Sequence, residues 1–164
     1  MTRDPLPGTF KVGIAWAGNP VNPDDALRST RLSDWAPVFA VPEVTFYGLQ
    51  VATNPASKQL AEAGLPIHDL GPELRDWRDT AAALTELDLV IAVDCSVAHL
   101  GGALGRPVWI CLPAAPEWRW MLERTDTPWY GSARLFRQPR AGDWSPVFED
   151  IAAELRQVVA ARRV

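Results

Sequence analysis

The chain has 164 residues, 48% hydrophobic and 22% charged, with a formal net charge of −4. That is globular composition for about one domain, at roughly 100–200 residues per domain, and it excludes a disordered or collagen-like chain. The negative balance excludes the broad basic field of a general nucleic-acid binder, so no nucleic-acid partner is expected.

Strand and helix signals alternate along the chain. Residues 11–17 (KVGIAWA) are continuously apolar, as in a strand covered on both faces. A loop rich in Gly, Asn, Pro and Asp follows over residues 18–30, and Ser33 then stands where it could cap a short helix carrying Trp35, Val38 and Phe39. Residues 44–49 predict a second strand, ending at Gln50. Asn54-Pro55 opens a helix through Leu60 and Ala63 that Gly64 stops. Residues 67–70 read as a short third strand, and Asp76 opens a helix with Trp77, Ala81, Leu84 and Leu87 near helical spacing. The strand LVIAV, residues 89–93, ends on Asp94 and is followed by a small-residue helix over 96–104, closed by Gly105. Residues 107–112 form a fifth strand and residues 113–131 a Pro- and Trp-rich loop with one helical turn. Residues 133–137 form a sixth strand. An amphipathic helix over 147–163 closes the chain, with Arg162 and Arg163 at the negative end of its dipole.

This alternation predicts an α/β fold: a doubly wound, mostly parallel six-stranded, Rossmann-like sheet in a single domain over residues 1–164. Ligands of such sheets bind beyond the carboxyl ends of the strands, near the switch in strand order. No apolar run reaches the ~18–20 residues of a membrane span. Residues 1–8 lack the basic-then-apolar order of a signal peptide. Cys95 and Cys111 are the only cysteines and lie in or beside apolar runs, which points to reduced thiols and a cytoplasmic location. His68 and His99 lack companions at metal-site spacing, so no metal is expected.

Four constellations sit just after strands. Asp94 runs directly into a helix whose first turn holds Cys95 and Ser96. Free N–H groups and the positive dipole end meet there, a ready anion site, with His99 one turn on. The competing reading makes Asp94 an N-cap, His99 a core histidine and the helix glycines packing. The loop after the first strand offers Gly18, Asn19, Arg28 and Ser29. Gly18 permits close backbone approach and Arg28 with Ser29 could hold a phosphate, although Asp24-Asp25 could equally pair with Arg28. No GxGxxG or GxxxxGK[ST] occurs, so neither a dinucleotide fingerprint nor a P-loop is present. At Asp76-Trp77 the aspartate fits a helix cap, and the tryptophan fits a stacking platform or the core equally well. Trp118, Arg119 and Trp120, with Trp129-Tyr130, suggest a lid over a sugar or nucleotide, or else a plug beneath the last helix.

The segments KVGIAWAGNP, LRSTRLSDW, FYGLQ, DWRDTAAALTELDLVIAVDCSVAHLGGALGRPVWICLP, EWRWMLERTDTPWYGSARLFRQ and GDWSPV occur in that order from Lys11 to Val147. In this order they resemble the C-terminal half of the catalytic region in bacterial tetratricopeptide-repeat glycosyltransferases. Those are related to glycosyltransferase family nine, the heptosyltransferases. The resemblance implies one half of a GT-B fold that binds a nucleotide-sugar donor as co-substrate, without a cofactor. It implies that Asp94 contacts the donor sugar beside His99, and that the backbone at Cys95 and Ser96 takes the diphosphate together with the loop of Gly18, Asn19, Arg28 and Ser29. Gln50, Asp76 and Trp77 would lie near ribose and base, with Trp118 and Arg119 as lid candidates. Inverting transfer without a metal is implied, its leaving group stabilised by helix dipole, N–H groups and arginine. The sequence departs from the family at Cys95, usually threonine, and carries no N-terminal Rossmann half. That half, or a tetratricopeptide-repeat region, is the implied partner, and no catalytic residue is assigned to this chain. A non-catalytic nucleotide or sugar-phosphate binding module is the alternative. A hydrolase with Cys95 as nucleophile and His99 as base is the third reading.

Overall fold

The computed structural model describes residues 8–162. Six strands form one sheet: β1 (Phe10–Ala15), β2 (Val44–Gly48), β3 (Ile67–Asp69), β4 (Leu89–Val93), β5 (Val108–Leu112) and β6 (Ala133–Arg137). Their order is β3-β2-β1-β4-β5-β6 and every pairing is parallel. The expected doubly wound sheet is therefore present, parallel throughout. Every residue of β4 and β5 is buried, so the apolar runs need no polar face.

The helices are α1 (Asp25–Arg28), α2 (Ala36–Phe39), α3 (Lys58–Ala63), α4 (Trp77–Thr85), α5 (Ser96–Ala103) and α6 (Ser145–Ala161). On one face of the core α6 packs on α2 and on the turn before it, Leu32–Trp35, where the rings of Trp35 and Phe148 lie 4.7 Å apart. α5 lies close against β4 and β5 because it carries glycines: a Cβ on Gly101 would stand 2.6 Å from the Val108 side chain. Gly64 ends α3 at φ 60°, a conformation glycine adopts without strain.

Local differences from the sequence reading have local causes. The loop over 18–30 contains the helical turn α1, because Arg28 and Ser29 both bond back to the Asp25 carboxylate. Ser33 caps nothing. The turn begins at Leu32, and the Asp34 carboxylate accepts the Arg31 N–H at 2.9 Å. Asn54 does cap the following turn, through Ala56 N–H at 2.9 Å, but that turn is 3-10 over Pro55–Ser57 before α3 begins. α4 ends at Thr85, two residues short of Leu87. α6 starts at Ser145, with a proline in its first turn where the missing N–H costs nothing. Arg162 follows α6 and bonds the Asp88 carboxylate at 2.9 Å, whereas Arg163 lies outside the described residues.

Candidate functional site at the switch in strand order

The sheet order places β1 beside β4, with Ala15 opposite Ala92. From β1 the chain goes on to β2 on one side, and β4 leads to β5 on the other. The two tips therefore open onto a crevice that no crossover covers. It holds a cleft of about 1030 Å³.

On the β4 side, Asp94 follows the last strand residue and is 6% exposed. Cys95 takes the N-cap position in extended conformation (φ −145°, ψ 173°). Ser96 and Val97 then start α5 with N–H groups that no intrahelical carbonyl can take. His99 lies one turn on. Its Nε2 stands 3.6 Å from Asp94 Oδ1 and 3.2 Å from Arg119 Nη1, and its Nδ1 is 2.9 Å from the Tyr130 hydroxyl. The imidazole stacks on Trp120 with centroids 5.3 Å apart. The Trp120 indole N–H is buried and has no hydrogen-bond partner within bonding geometry. Burial pushes the Asp94 carboxyl up, but His99, the nearby Trp120 indole and the Arg28 charge outweigh it and hold the group below its ordinary value.

On the β1 side a relay of short bonds shapes the loop. Gly18 N–H donates to Ser29 Oγ at 2.9 Å, and the Ser29 hydroxyl donates to Asp25 Oδ2 at 2.9 Å. Arg28 Nε reaches Asp25 Oδ1 at 3.4 Å. A Cβ on Gly18 would lie 2.3 Å from that oxygen, so close approach is what the glycine provides. Asn54 Nδ2 donates to Gly18 O at 2.7 Å, and the Gln50 Oε1 accepts Ala17 N–H at 3.2 Å. The end of β2 is thereby tied to the β1 loop.

Of the residues singled out from sequence, Gly18, Asn19, Arg28, Gln50 and Trp77 line the cleft from one side. Asp94, Cys95, Ser96, His99 and Arg119 line it from the other. Three do not line it. Ser29 is spent inside its loop. Asp76 caps α4, accepting from Arg78 and Asp79 N–H and pairing with Arg78, which holds its carboxyl low. Trp118 is 73% exposed and points away, against Trp129. Trp77 is 59% exposed at the head of α4, so it is no core residue. Trp120 is the reverse, fully buried. Asn54, Thr80 and Glu117 line the cleft without having been singled out from sequence, and Tyr130, which bonds His99, was singled out only as part of an aromatic stretch. Asn54 carried a visible helix-start signal; its second bond, to Gly18, had none.

The thiols do not suit nucleophilic work. Burial pushes Cys95 and Cys111 up from the ordinary thiol value, opposite to the depressed value of an activated cysteine. Among the described residues no helix is long and apolar enough to cross a membrane.

No protein-family model matches this chain. The chain is 31% identical over 155 residues to Protein FlbA of Caulobacter vibrioides, covering 92% of this chain and 26% of that protein. It therefore spans about a quarter of the length of that curated relative. Among solved structures it resembles the E. coli ADP-heptose LPS heptosyltransferase II, with TM-score 0.67, 14% identity, 97% of this chain and 49% of that one. It also resembles a glycosyl transferase family 9 protein of Veillonella parvula, with TM-score 0.64, 12% identity, 96% of this chain and 48% of that one. The E. coli heptosyltransferase WaaC, solved with ADP, gives TM-score 0.60 and 17% identity, over 98% of this chain and 46% of that one.

The fold is thus an α/β Rossmann-like half, of the kind that builds GT-B glycosyltransferases. More narrowly, it is like one half of a glycosyltransferase family nine protein.

Proposed function

We propose that this chain is the donor-binding half of a glycosyltransferase, taking a nucleotide-diphosphate-sugar in the cleft between β1 and β4. The observation that carries the reading is the convergence, at the crevice between β1 and β4, of the α5 N-terminus, Arg28 and the Asp94–His99 pair. The N–H groups of the first α5 turn and the Arg28 guanidinium would meet the diphosphate. Asp94, ionised and acceptor-only, would take sugar hydroxyls. Trp77, flat and exposed at the cleft wall, would stack on the base, with Gln50 beside the ribose. Charge developing on the leaving diphosphate would be met by dipole and guanidinium, and the transfer is proposed to be inverting and metal-independent.

A second half would supply the acceptor contacts and the general base; the partners of this chain are proposed to be that half and a tetratricopeptide-repeat region. Support comes from the structural neighbours, each about twice as long as the part matched here. A cytoplasmic location is part of the same proposal.

ADP is the first nucleotide to test, since one neighbour is an ADP-heptose LPS heptosyltransferase and another was solved with ADP. Thermal-shift and calorimetry screens against ADP, UDP, GDP, CMP and their sugar conjugates test the reading. Ligand at 100 times its Kd adds about 2.7 kcal/mol, which for this size raises Tm by roughly 5–11 °C. One nucleotide is expected to do so, and Asp94→Ala is expected to abolish the effect of its sugar conjugate while melting cooperatively. No shift from any of them, with the second half also joined, overturns the proposal. Binding without transfer in the joined protein would make this a non-catalytic module instead.

A further inference from the structure

The imidazole of His99 is held at three points that do not all agree on where its proton sits. Arg119 has donors only, so its Nη1 at 3.2 Å from Nε2 requires a lone pair on that nitrogen. The Asp94 carboxylate, at 3.6 Å from the same nitrogen, is drawn closer only by a proton there. The Tyr130 hydroxyl, 2.9 Å from Nδ1, serves either case because it can accept or donate.

Arg119 is aimed. Its Nε and Nη2 form a fork on the Glu117 carboxylate, at 2.6 and 3.1 Å, which leaves Nη1 directed at His99. Its carbonyl is tied by the Trp129 indole N–H at 3.1 Å. Tyr130 is seated too. A Cβ on Gly102 would stand 2.4 Å from the Tyr130 ring, so the absence of a side chain one turn beyond His99 lets the ring lie flat on α5. Trp120 stacks on a face of the imidazole.

We propose that Arg119 is a positioning residue for His99. Fixed by Glu117, it holds His99 in the tautomer with the proton on Nδ1, donated to Tyr130, and the Nε2 lone pair facing the cleft. An anionic ligand of the diphosphate class that draws Arg119 away removes this hold. The proton then leaves Nδ1 and one arrives on Nε2 from water, with no net uptake. Nε2 donates to Asp94, and the Tyr130 hydroxyl turns from acceptor to donor. The charged and titratable groups facing this ring are Asp94 from the end of β4, and Arg119 and Tyr130 from the 113–131 loop, with Glu117 paired to Arg119 behind it. The release step rests on the nucleotide-sugar reading; the ligand-free tautomer does not.

The chain has two histidines, so ¹⁵N-detected NMR of the ring nitrogens resolves His99 once His68→Asn removes the other signal. At a pH about two units above the ordinary imidazole value of roughly 6.5, the folded protein is expected to carry its His99 proton on Nδ1. Arg119→Met should move it to Nε2. Glu117→Gln, which breaks the fork but keeps the guanidinium, should move it in the same direction. Tyr130→Phe keeps the ring on Gly102, removes the acceptor, and should also raise the Nε2–H population. A wild-type proton already on Nε2, or a tautomer unmoved in all three variants, overturns the proposal. ADP should reproduce the Arg119→Met spectrum. If ADP raises Tm but leaves His99 unchanged, release by the ligand is wrong; if neither ADP nor any other nucleotide of the panel shifts Tm with the second half joined, the nucleotide reading is what fails.

Discussion

Two segments meet at Asp94, and they are built differently. The β4–α5 junction makes its geometry locally: a buried strand stops, Cys95 turns the chain, and the helix begins at Ser96. The loop over 113–131 has little regular structure beyond one 3-10 turn, Trp118–Trp120. It is held by what it touches: Trp120 under His99, Tyr130 on Gly102, and Trp129 on the Arg119 carbonyl. The junction positions backbone groups, whereas the loop positions side chains around them. A cleft can therefore have one wall set by local sequence and an opposite wall whose order depends on a few packed aromatics.

The strongest way to break this contrast is Trp120→Ala. Trp120 is fully buried, and such truncations cost about 3–5 kcal/mol. Chemical denaturation should show that loss, and the His99 ring signals should broaden as the loop loses its anchor. A cost near zero would mean that the loop is not pinned by this ring. Gly102→Ala is the next largest. The new Cβ meets an aromatic ring at 2.4 Å, and overpacking of this kind costs about 1–3 kcal/mol. The far-UV spectrum should stay unchanged, because alanine suits a helix better than glycine.

A smaller effect sharpens the junction side. Because the Asp94 carboxyl is held below its unfolded value, its contribution is present above the ordinary carboxylate range, near ~3.9. It is lost as pH falls through the lower folded value. Denaturation midpoints between neutral and acid pH should therefore fall in the wild type with a component that Asp94→Asn lacks; equal slopes would refute this. The smallest effect is expected at Trp118, which is 73% exposed. Trp118→Ala should change stability by no more than about 0.5 kcal/mol, and a larger loss would show that the Trp118–Trp129 pair carries structure.

Legibility followed the same division. β4 and β6 coincide with their expected spans: β4 is a continuous apolar run that ends at Asp94, and β6 is bounded by a turn before Ala133 and by Gln138-Pro139 after Arg137. The cleft-lining turn at Asp94, Cys95 and Ser96 is legible because strand, turn and helix start are consecutive. Ser33 caps nothing because the turn already begins at Leu32, which places Ser33 inside it, and the Asp34 carboxylate closes the start by accepting the Arg31 N–H. Trp77, Trp118 and Trp120 illustrate the limit: three tryptophans beside polar residues, one lining the cleft, one turned outward and one buried. Nothing in their spacing separates these fates, since each depends on segments distant in sequence.

By itself the sequence determined the order of strands and helices, the doubly wound class, and the strand tip at Asp94 on which the cleft opens. Those follow from apolar periodicity, turn residues and the handedness of parallel crossovers, all of which act over short stretches of chain. Only the tertiary structure decided that Asn54 clamps Gly18, that Ser29 is used up within its own loop, and that Tyr130 and Arg119 converge on the two nitrogens of His99. Those contacts join residues 11 to 36 positions apart, and hydrogen-bond and packing geometry at that separation exists only once the sheet has brought the segments together.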